Sequence, residues 1–169
     1  MCEIRPATAE DQGAIRSVHE AAFGGPAEAR IVELLQRQEK AIVSLVAVSE
    51  AQVVGHIVFS PATVENAPRH FQLVGLGPVG VLPAFQGRGI GSALIVGGLA
   101  ICKRIGKHAV VVVGEPRYYQ RFGFAPGSRY GLGNEYQATD EFMVLELEPG
   151  VLRGVSGLVK YAPEVSAHS

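Results

Sequence analysis

Residues 83–94 read PAFQGRGIGSAL and set Gly87, Gly89 and Gly91 at the entrance to an otherwise helical run. Each glycine in a helix costs about 1 kcal/mol relative to alanine, so a cluster at this point implies a use for bare backbone. Two uses fit. The glycines let a strand turn tightly into a helix packed close to a sheet, or they open the unpaired N–H groups and partial positive charge of a helix N-terminus to an anion. Arg88 adds a full charge beside the turn.

On either side of this turn the pattern is strand, helix, strand. His70 to Leu82 reads as a strand whose middle carries Gly75, Gly77, Pro78 and Gly80, so regular pairing is expected to fail near Pro78. The apolar helix after the turn extends to about Ile105, and His108 to Val113 is a β-branched run of the kind found in buried parallel strands. Upstream lie a short strand at Cys2–Arg5, a helix from about Ala9 to Ala22 capped by Thr8, and a second helix from about Pro26 to Gln38. Ala41–Ser49 and Val53–Val64 form a hairpin around Glu50-Ala51-Gln52. Downstream, Glu115-Pro116 opens a short helix closed by Gly123, and strands near Phe124 and over Phe142–Glu148 end the sheet. With no repeat and no linker, residues 1–169 read as one α/β (α+β) domain.

Composition narrows the partners. The net charge of -1 arises from 15 basic and 16 acidic residues without a run of either sign, which argues against nucleic acid and anionic membrane. The N-terminus lacks the apolar core of a secretory leader, and the run Gly89–Cys102 is shorter than the ~20 residues of a membrane helix, so a cytoplasmic protein is expected. Cys2 and Cys102 are expected to be free thiols. His19, His56, His70, His108 and His168 have no paired ligand spacing, and no metal is expected.

Among phosphate-binding patterns, the dinucleotide fingerprint fails because Ser92 stands at its third glycine and Val110–Val113 occupies the place of its acid. A P-loop fails for want of Gly-Lys-Ser/Thr. Gln86-Gly87-Arg88-Gly89-Ile90-Gly91, however, resembles the Gln/Arg-x-x-Gly-x-Gly/Ala signature of the GNAT acyl-CoA-dependent N-acetyltransferases. Val81-Leu82-Pro83 is similar to the end of that family's fourth strand, and Tyr119 to Phe124 resembles its Tyr-x-x-x-Gly-Phe segment.

The resemblance implies a mixed sheet of about seven strands, splayed between the fourth and fifth and flanked by about four helices. It also implies acetyl-CoA as co-substrate, with the pyrophosphate on backbone N–H groups of the segment formed by Gln86, Gly87, Arg88, Gly89, Ile90, Gly91 and Ser92. Backbone near Val79 and Val81 would serve the pantetheine amides and the thioester carbonyl. An amine would attack the thioester directly, and Tyr119 matches the family's general acid, with Tyr118 expected as a core filler.

The expected fourth strand holds no carboxylate, a departure from many family members that leaves the base open among Glu115, Glu141, Glu135, His70 and His56. The loop Ala125–Asp140 is expected to border the acceptor pocket, and Pro163–Ser169 either to fold over it or to fray. A non-catalytic acyl-CoA-binding module is the alternative reading. The acceptor amine, acetyl or a longer acyl group, and monomer or homodimer stay open.

Overall fold

A computed structural model describes residues 2–166. The elements in chain order are β1 (Glu3–Pro6), α1 (Gln12–Phe23), α2 (Ala27–Arg37), β2 (Val43–Ser49), β3 (Gln52–Asn66), β4 (Leu73–Val81) and α3 (Ile90–Arg104). There follow β5 (Ala109–Val113), α4 (Pro116–Gln120), β6 (Ala125–Pro126), β7 (Leu132–Asn134), β8 (Phe142–Glu146), β9 (Ser156–Tyr161) and α5 (Pro163–Ser166). The strands hydrogen-bond in the order β1-β2-β3-β4-β5-β8-β6, with β9 joined to β3 and to β7. By contacts the chain divides into two compact units, and β3 and β4 each contribute residues to both.

The first unit holds the chain up to Ser60, Gly77–Ile101 and the segment from Pro163. Its hairpin closes through Glu50 and Ala51 at φ +49° and +63°, the left-handed pair that suits the strand twist, so the turn is shorter than Glu50-Ala51-Gln52 and Gln52 already belongs to β3. One face of the hairpin receives α3. Gly55 faces Ile90 and Leu94 at 3.2 and 3.1 Å from where a Cβ would stand, and a Cβ on Gly98 would overlap the Phe59 ring. The helix glycines at this face thus serve close packing.

The other face carries a buried polar chain. His19 on α1 is hydrogen-bonded through Nε2 to His56 Nδ1 at 2.8 Å, and His56 Nε2 to Ser44 Oγ at 2.8 Å. The helical run predicted from Ala9 opens with a 3-10 turn at Ala9–Asp11, where Asp11 accepts the Thr8 N–H at 2.7 Å and pairs with Arg5 at 2.8 Å. Hydrogen bonding to the Arg5 guanidinium holds the Asp11 carboxyl well below the usual range. At the chain's end, Lys40 donates to both oxygens of Glu164 at 2.9 and 3.0 Å, which ties α5 to the end of α2. Residues 163–166 are therefore a docked helix, whereas the expectation for 167–169 lies outside the described residues.

The second unit holds Pro61–Leu76 and Cys102–Ala162. β4 runs parallel to β5 from Leu73↔Ala109 to Gly75↔Val111, as the strand–helix–strand pattern predicts, and β8 lies antiparallel on the far side of β5. Ala109, Val111, Phe142, Val144 and Val159 fill its core. β7 and β9 depart from the expected sheet, and the described residues form nine strands and five α-helices instead of about seven and four. β7 has three residues centred on Gly133, too short for a periodic signal, and β9 is held by Ala62↔Tyr161 and Val64↔Val159 against the extended end of β3. The stretch Ala125–Asp140 accordingly contains β6 and β7 as well as loop.

Burial lowers the His19 imidazole to about 4 and, with His19 beside it, the His56 imidazole to about 3, from an ordinary 6.5. Both are depressed, so protonation favours the unfolded chain: their stabilisation is complete above about pH 6.5 and drains away as pH falls toward 4, by about 1 kcal/mol per pH unit per histidine. Two imidazole signals in the NMR spectrum, identified by His19→Asn and His56→Asn, should stay at their neutral positions from pH 7.5 to about 5 while Tm declines. Ordinary titration of both near 6.5 would contradict the buried chain.

Candidate active site

The glycine turn is built by local bonds. Gln86 donates its side-chain amide to the Val81 carbonyl at 3.0 Å, which clamps the turn to the end of β4, and its backbone N–H reaches Pro83 O at 3.3 Å. The expected anion donor at Gln86 is thus already engaged within the turn. Gly87 and Gly89 have φ of +77° and +83°, where only glycine sits without strain, and among the described residues no atom beyond the immediate chain neighbours lies within 4 Å of the position a Cβ would take at either.

The turn is therefore left-handed and open. Gly89 stands directly before α3, whose first-turn N–H groups lack intrahelical acceptors. Arg88 is exposed, with its guanidinium 5.1 Å from the Phe85 ring centroid. Ile90 points the other way, into the core against Gly55, so only its backbone is available to a ligand. Gly91 and Ser92 are half-buried in the first turn of α3, and Ser92 is engaged in an interaction of its own. Val79 and Val81 are half-buried, and Leu82 N–H ties the strand end to Val54 O at 2.9 Å.

In the second unit, Tyr119 sits in α4 just past the end of β5. Its ring lies across Gly114, so close that a Cβ there would overlap Cε2. Phe124 closes on it edge-on with centroids 5.7 Å apart. Burial, with Tyr118 adding to it, raises the Tyr119 phenol to about 12. Tyr118, expected as the core filler, is half-buried with the Arg121 guanidinium 5.1 Å from its ring centroid, whereas Tyr119 is the buried one of the pair.

The base candidates separate by environment. Glu115 is exposed and caps α4 by accepting the Arg117 N–H at 3.0 Å. Glu141 is exposed, and its backbone carbonyl accepts the Gly114 N–H at 2.9 Å. Glu135 is half-buried and accepts the Tyr161 backbone N–H at 2.6 Å. His56 lies in the core chain, and His70 is exposed at a left-handed φ of +68°. β4 itself carries no carboxylate. Tyr161, which no sequence signal marks because β9 shows none, has a buried hydroxyl without a hydrogen-bond partner.

Cys102 is buried and its thiol is pushed up to about 12, so it is inert at ordinary pH. No group of His, Cys, Asp and Glu that could hold a metal occurs among the described residues. No described helix is long and apolar enough to cross a membrane.

A mixed sheet with parallel β4 and β5, joined through an open glycine turn and a helix, defines the fold of an acyl-CoA transferase. Residues 3–127 match the acetyltransferase (GNAT) domain, and the chain belongs to the GNAT N-acetyltransferase family. It is 36% identical over 141 residues to the uncharacterized N-acetyltransferase YhbS of Escherichia coli K12, covering 82% of this chain and 83% of that protein. The crystal structure of E. coli YhbS in complex with CoA superposes with a TM-score of 0.91 at 32% identity, over 98% of this chain and 92% of that one. A GNAT family acetyltransferase from Brucella melitensis in complex with acetyl-CoA gives a TM-score of 0.80 at 37% identity, over 97% of each chain.

Gly114→Ala should push the Tyr119 ring from its seat and lower kcat by about 10²-fold, the usual scale for displacing a reacting group by an ångström. Adding Tyr119→Phe should then cost little more, and coenzyme affinity should hold. Independent, multiplying losses in the double variant would show that Gly114 acts elsewhere.

Proposed function

We propose that this chain transfers the acetyl group of acetyl-CoA to a primary amine of a small molecule or peptide by direct attack. The observation that carries the reading is the turn at Gly87 and Gly89, whose left-handed backbone leaves open space at the N-terminus of α3. Such a terminus takes a phosphate through backbone N–H groups and the helix dipole, and two relatives of high coverage carry CoA or acetyl-CoA. Gly87, Gly89, Gly91 and Ser92 would hold the pyrophosphate, with Arg88 beside it and Gln86 holding the turn through its side chain. The backbone near Val79 and Val81 would take the pantetheine amides and the thioester carbonyl. Residues 1–169 act as one domain, since β3 and β4 run through both units, and the cytoplasm suits its acetyl-CoA supply.

The amine nitrogen attacks the thioester carbonyl carbon, and the tetrahedral species breaks its C–S bond. The sulfur leaves as thiolate and takes a hydrogen bond and then a proton through the Tyr119 phenol, which is reprotonated by the proton that the nitrogen loses, passed on by water or by a carboxylate such as that of Glu115 or Glu141. The lack of a carboxylate on β4 favours the second reading, a coenzyme-binding module without turnover. Thiol release from acetyl-CoA across a panel of primary amines separates the two, because a module would bind and not turn over.

Gly89→Asp should abolish coenzyme binding in a folded protein, and calorimetry would register it. Gly89→Ala provides the strain control, since it shares the φ penalty without the charge and should bind more tightly than the aspartate variant. Tyr119→Phe should lower kcat by about 10²- to 10⁴-fold with little change in coenzyme affinity, and Tyr118→Phe should do far less. Small, equal effects at both positions would remove the phenol from the mechanism.

If deprotonation passes to water, kcat/KM should climb with pH until the substrate amine is neutral, with an inflection near 8 for an α-amine and about two units higher for a lysine-like one. An inflection fixed at pH 6 to 7 for both, and lost in Glu115→Gln or Glu141→Gln, would reveal a dedicated base.

A further inference from the structure

Among the described residues, three buried side-chain atoms lack a hydrogen-bond partner: His19 Nδ1, Ser60 Oγ and Tyr161 Oη. His19 ends the imidazole chain inside the core, and Ser60 lies in β3 with 1% exposure. Tyr161 differs in its neighbours. One edge of its ring meets Gly75 of β4, with Cε2 and Cδ2 at 2.6 and 2.7 Å from where a Cβ would stand, so only glycine admits it. Gly75 belongs to the β4–β5 ladder, opposite Val111.

Beside Tyr161 stand two residues of the segment that follows β7. Glu135 accepts the Tyr161 backbone N–H through Oε2 at 2.6 Å, which fixes its carboxylate against β9. The Tyr136 ring is 38% exposed and lies 5.7 Å from the Tyr161 ring at 45°. Burial raises the Tyr161 phenol above its ordinary range, and Tyr136, Glu135 and Tyr119 add to the shift, so the hydroxyl keeps its proton and all four groups share one electrostatic neighbourhood. Tyr161, Tyr136 and Glu135 lie beyond the segment that defines the family, which ends at residue 127.

We propose that Tyr161, Tyr136 and Glu135 form a subsite for the amine group of the acceptor, in which Tyr161 Oη is the hydrogen-bond partner of the amine nitrogen. The chemistry of the three groups selects a primary ammonium. The Glu135 carboxylate supplies negative potential, the two rings offer cation–π faces, and an uncharged apolar group would leave the hydroxyl unpaired. A buried hydroxyl without a partner is unfavourable in the free protein, and an incoming N–H removes that penalty on binding. The assignment rests on the acetyltransferase reading for the word acceptor. The affinity for an amine does not depend on it.

The test uses the full chain labelled with [13Cζ]tyrosine, which gives five signals, the fifth assigned by its loss in Tyr161→Phe. n-Butylamine is titrated at neutral pH, and n-butanol serves as the uncharged control of the same size. The Tyr161 signal should move saturably with butylamine at a dissociation constant of about millimolar, and at least about 10-fold more weakly with butanol. Glu135→Gln should weaken the amine response and not the alcohol response. A silent Tyr161 signal, or equal responses to both probes, overturns the proposal.

Tyr161→Phe should also leave Tm unchanged or higher, since it deletes only an unpartnered hydroxyl, whereas a fall beyond about 2–4 °C would reveal a structural partner and overturn it too. With any amine that the enzyme turns over, this variant should raise KM for the amine far more than it lowers kcat. Calorimetry with acetyl-CoA on the same sample judges the acetyltransferase reading separately: coenzyme binding with a silent Tyr161 sinks the subsite alone.

Discussion

The close seating of α3 on the β2–β3 hairpin is the constraint from which the coenzyme turn follows. A Cβ at Gly98 would collide with Phe59, and Ile90 and Leu94 reach into the notch left by Gly55. With the helix held this tightly, its first residue is fixed relative to the end of β4, and the chain has only residues 82–89 in which to reverse. The reversal is made by left-handed steps at Gly87 and Gly89 and secured by the Gln86 side chain on Val81 O. The N-terminal N–H groups of α3 are thereby aimed at open space by packing that lies well behind them. A substitution at Gly98 would therefore disturb the glycine turn without touching it.

Buried polar groups take different forms in the two units. In the first, His56 bonds on one side to His19 Nε2 and on the other to Ser44 Oγ, a line that ends at an unpartnered His19 Nδ1, and the low pKa values follow from sealing two neutral imidazoles in an apolar core. A chain of this kind fixes α1 against the hairpin by geometry that apolar residues would not enforce. In the second, tyrosines close on glycines, Tyr119 on Gly114 and Tyr161 on Gly75. A glycine beside a ring leaves the ring a place that no other residue would, so a phenol is oriented by packing, and the buried Tyr161 hydroxyl has no hydrogen-bond partner among the described residues.

What the sequence made readable was what local chemistry dictates. The glycine turn, the caps at Thr8 and Glu115, and the βαβ order all follow from spacings of a few residues, and each stands in the structure within one to three residues of its expected place. β7 and β9 were hidden because their hydrogen bonds go to partners far along the chain: Ser156–Tyr161 pairs with β3 some ninety residues earlier and has no alternation of its own. The burial of Tyr119 rather than Tyr118 was hidden for a different reason: both fit the helical spacing of α4, and the bare backbone of Gly114 between β5 and α4 admits the Tyr119 ring. Glu135 goes with β9, since its carboxylate is placed by the backbone N–H of a strand the sequence did not announce.

The raised pKa of Tyr119 constrains how a phenol in that position would work. At about 12 it is protonated throughout the physiological range, which suits a donor and excludes a resting phenolate base. A thiol lies near 8.5, so complete transfer of the phenolic proton to the leaving sulfur is uphill by about 3 to 4 pK units, roughly 5 kcal/mol. A free phenolate is thus too costly as an intermediate. The donor must give its hydrogen bond while the C–S bond is breaking and be supplied with a proton as it gives one up. The nitrogen of the tetrahedral species is the natural source, because attack by a neutral amine makes it strongly acidic at the moment the sulfur becomes basic. On this account the missing carboxylate of β4 is less of a defect than it looks: where the departing proton and the arriving one belong to the same tetrahedral centre, water or the phenol can pass one to the other, and the protein's task reduces to holding the amine in line once it has lost its ammonium proton.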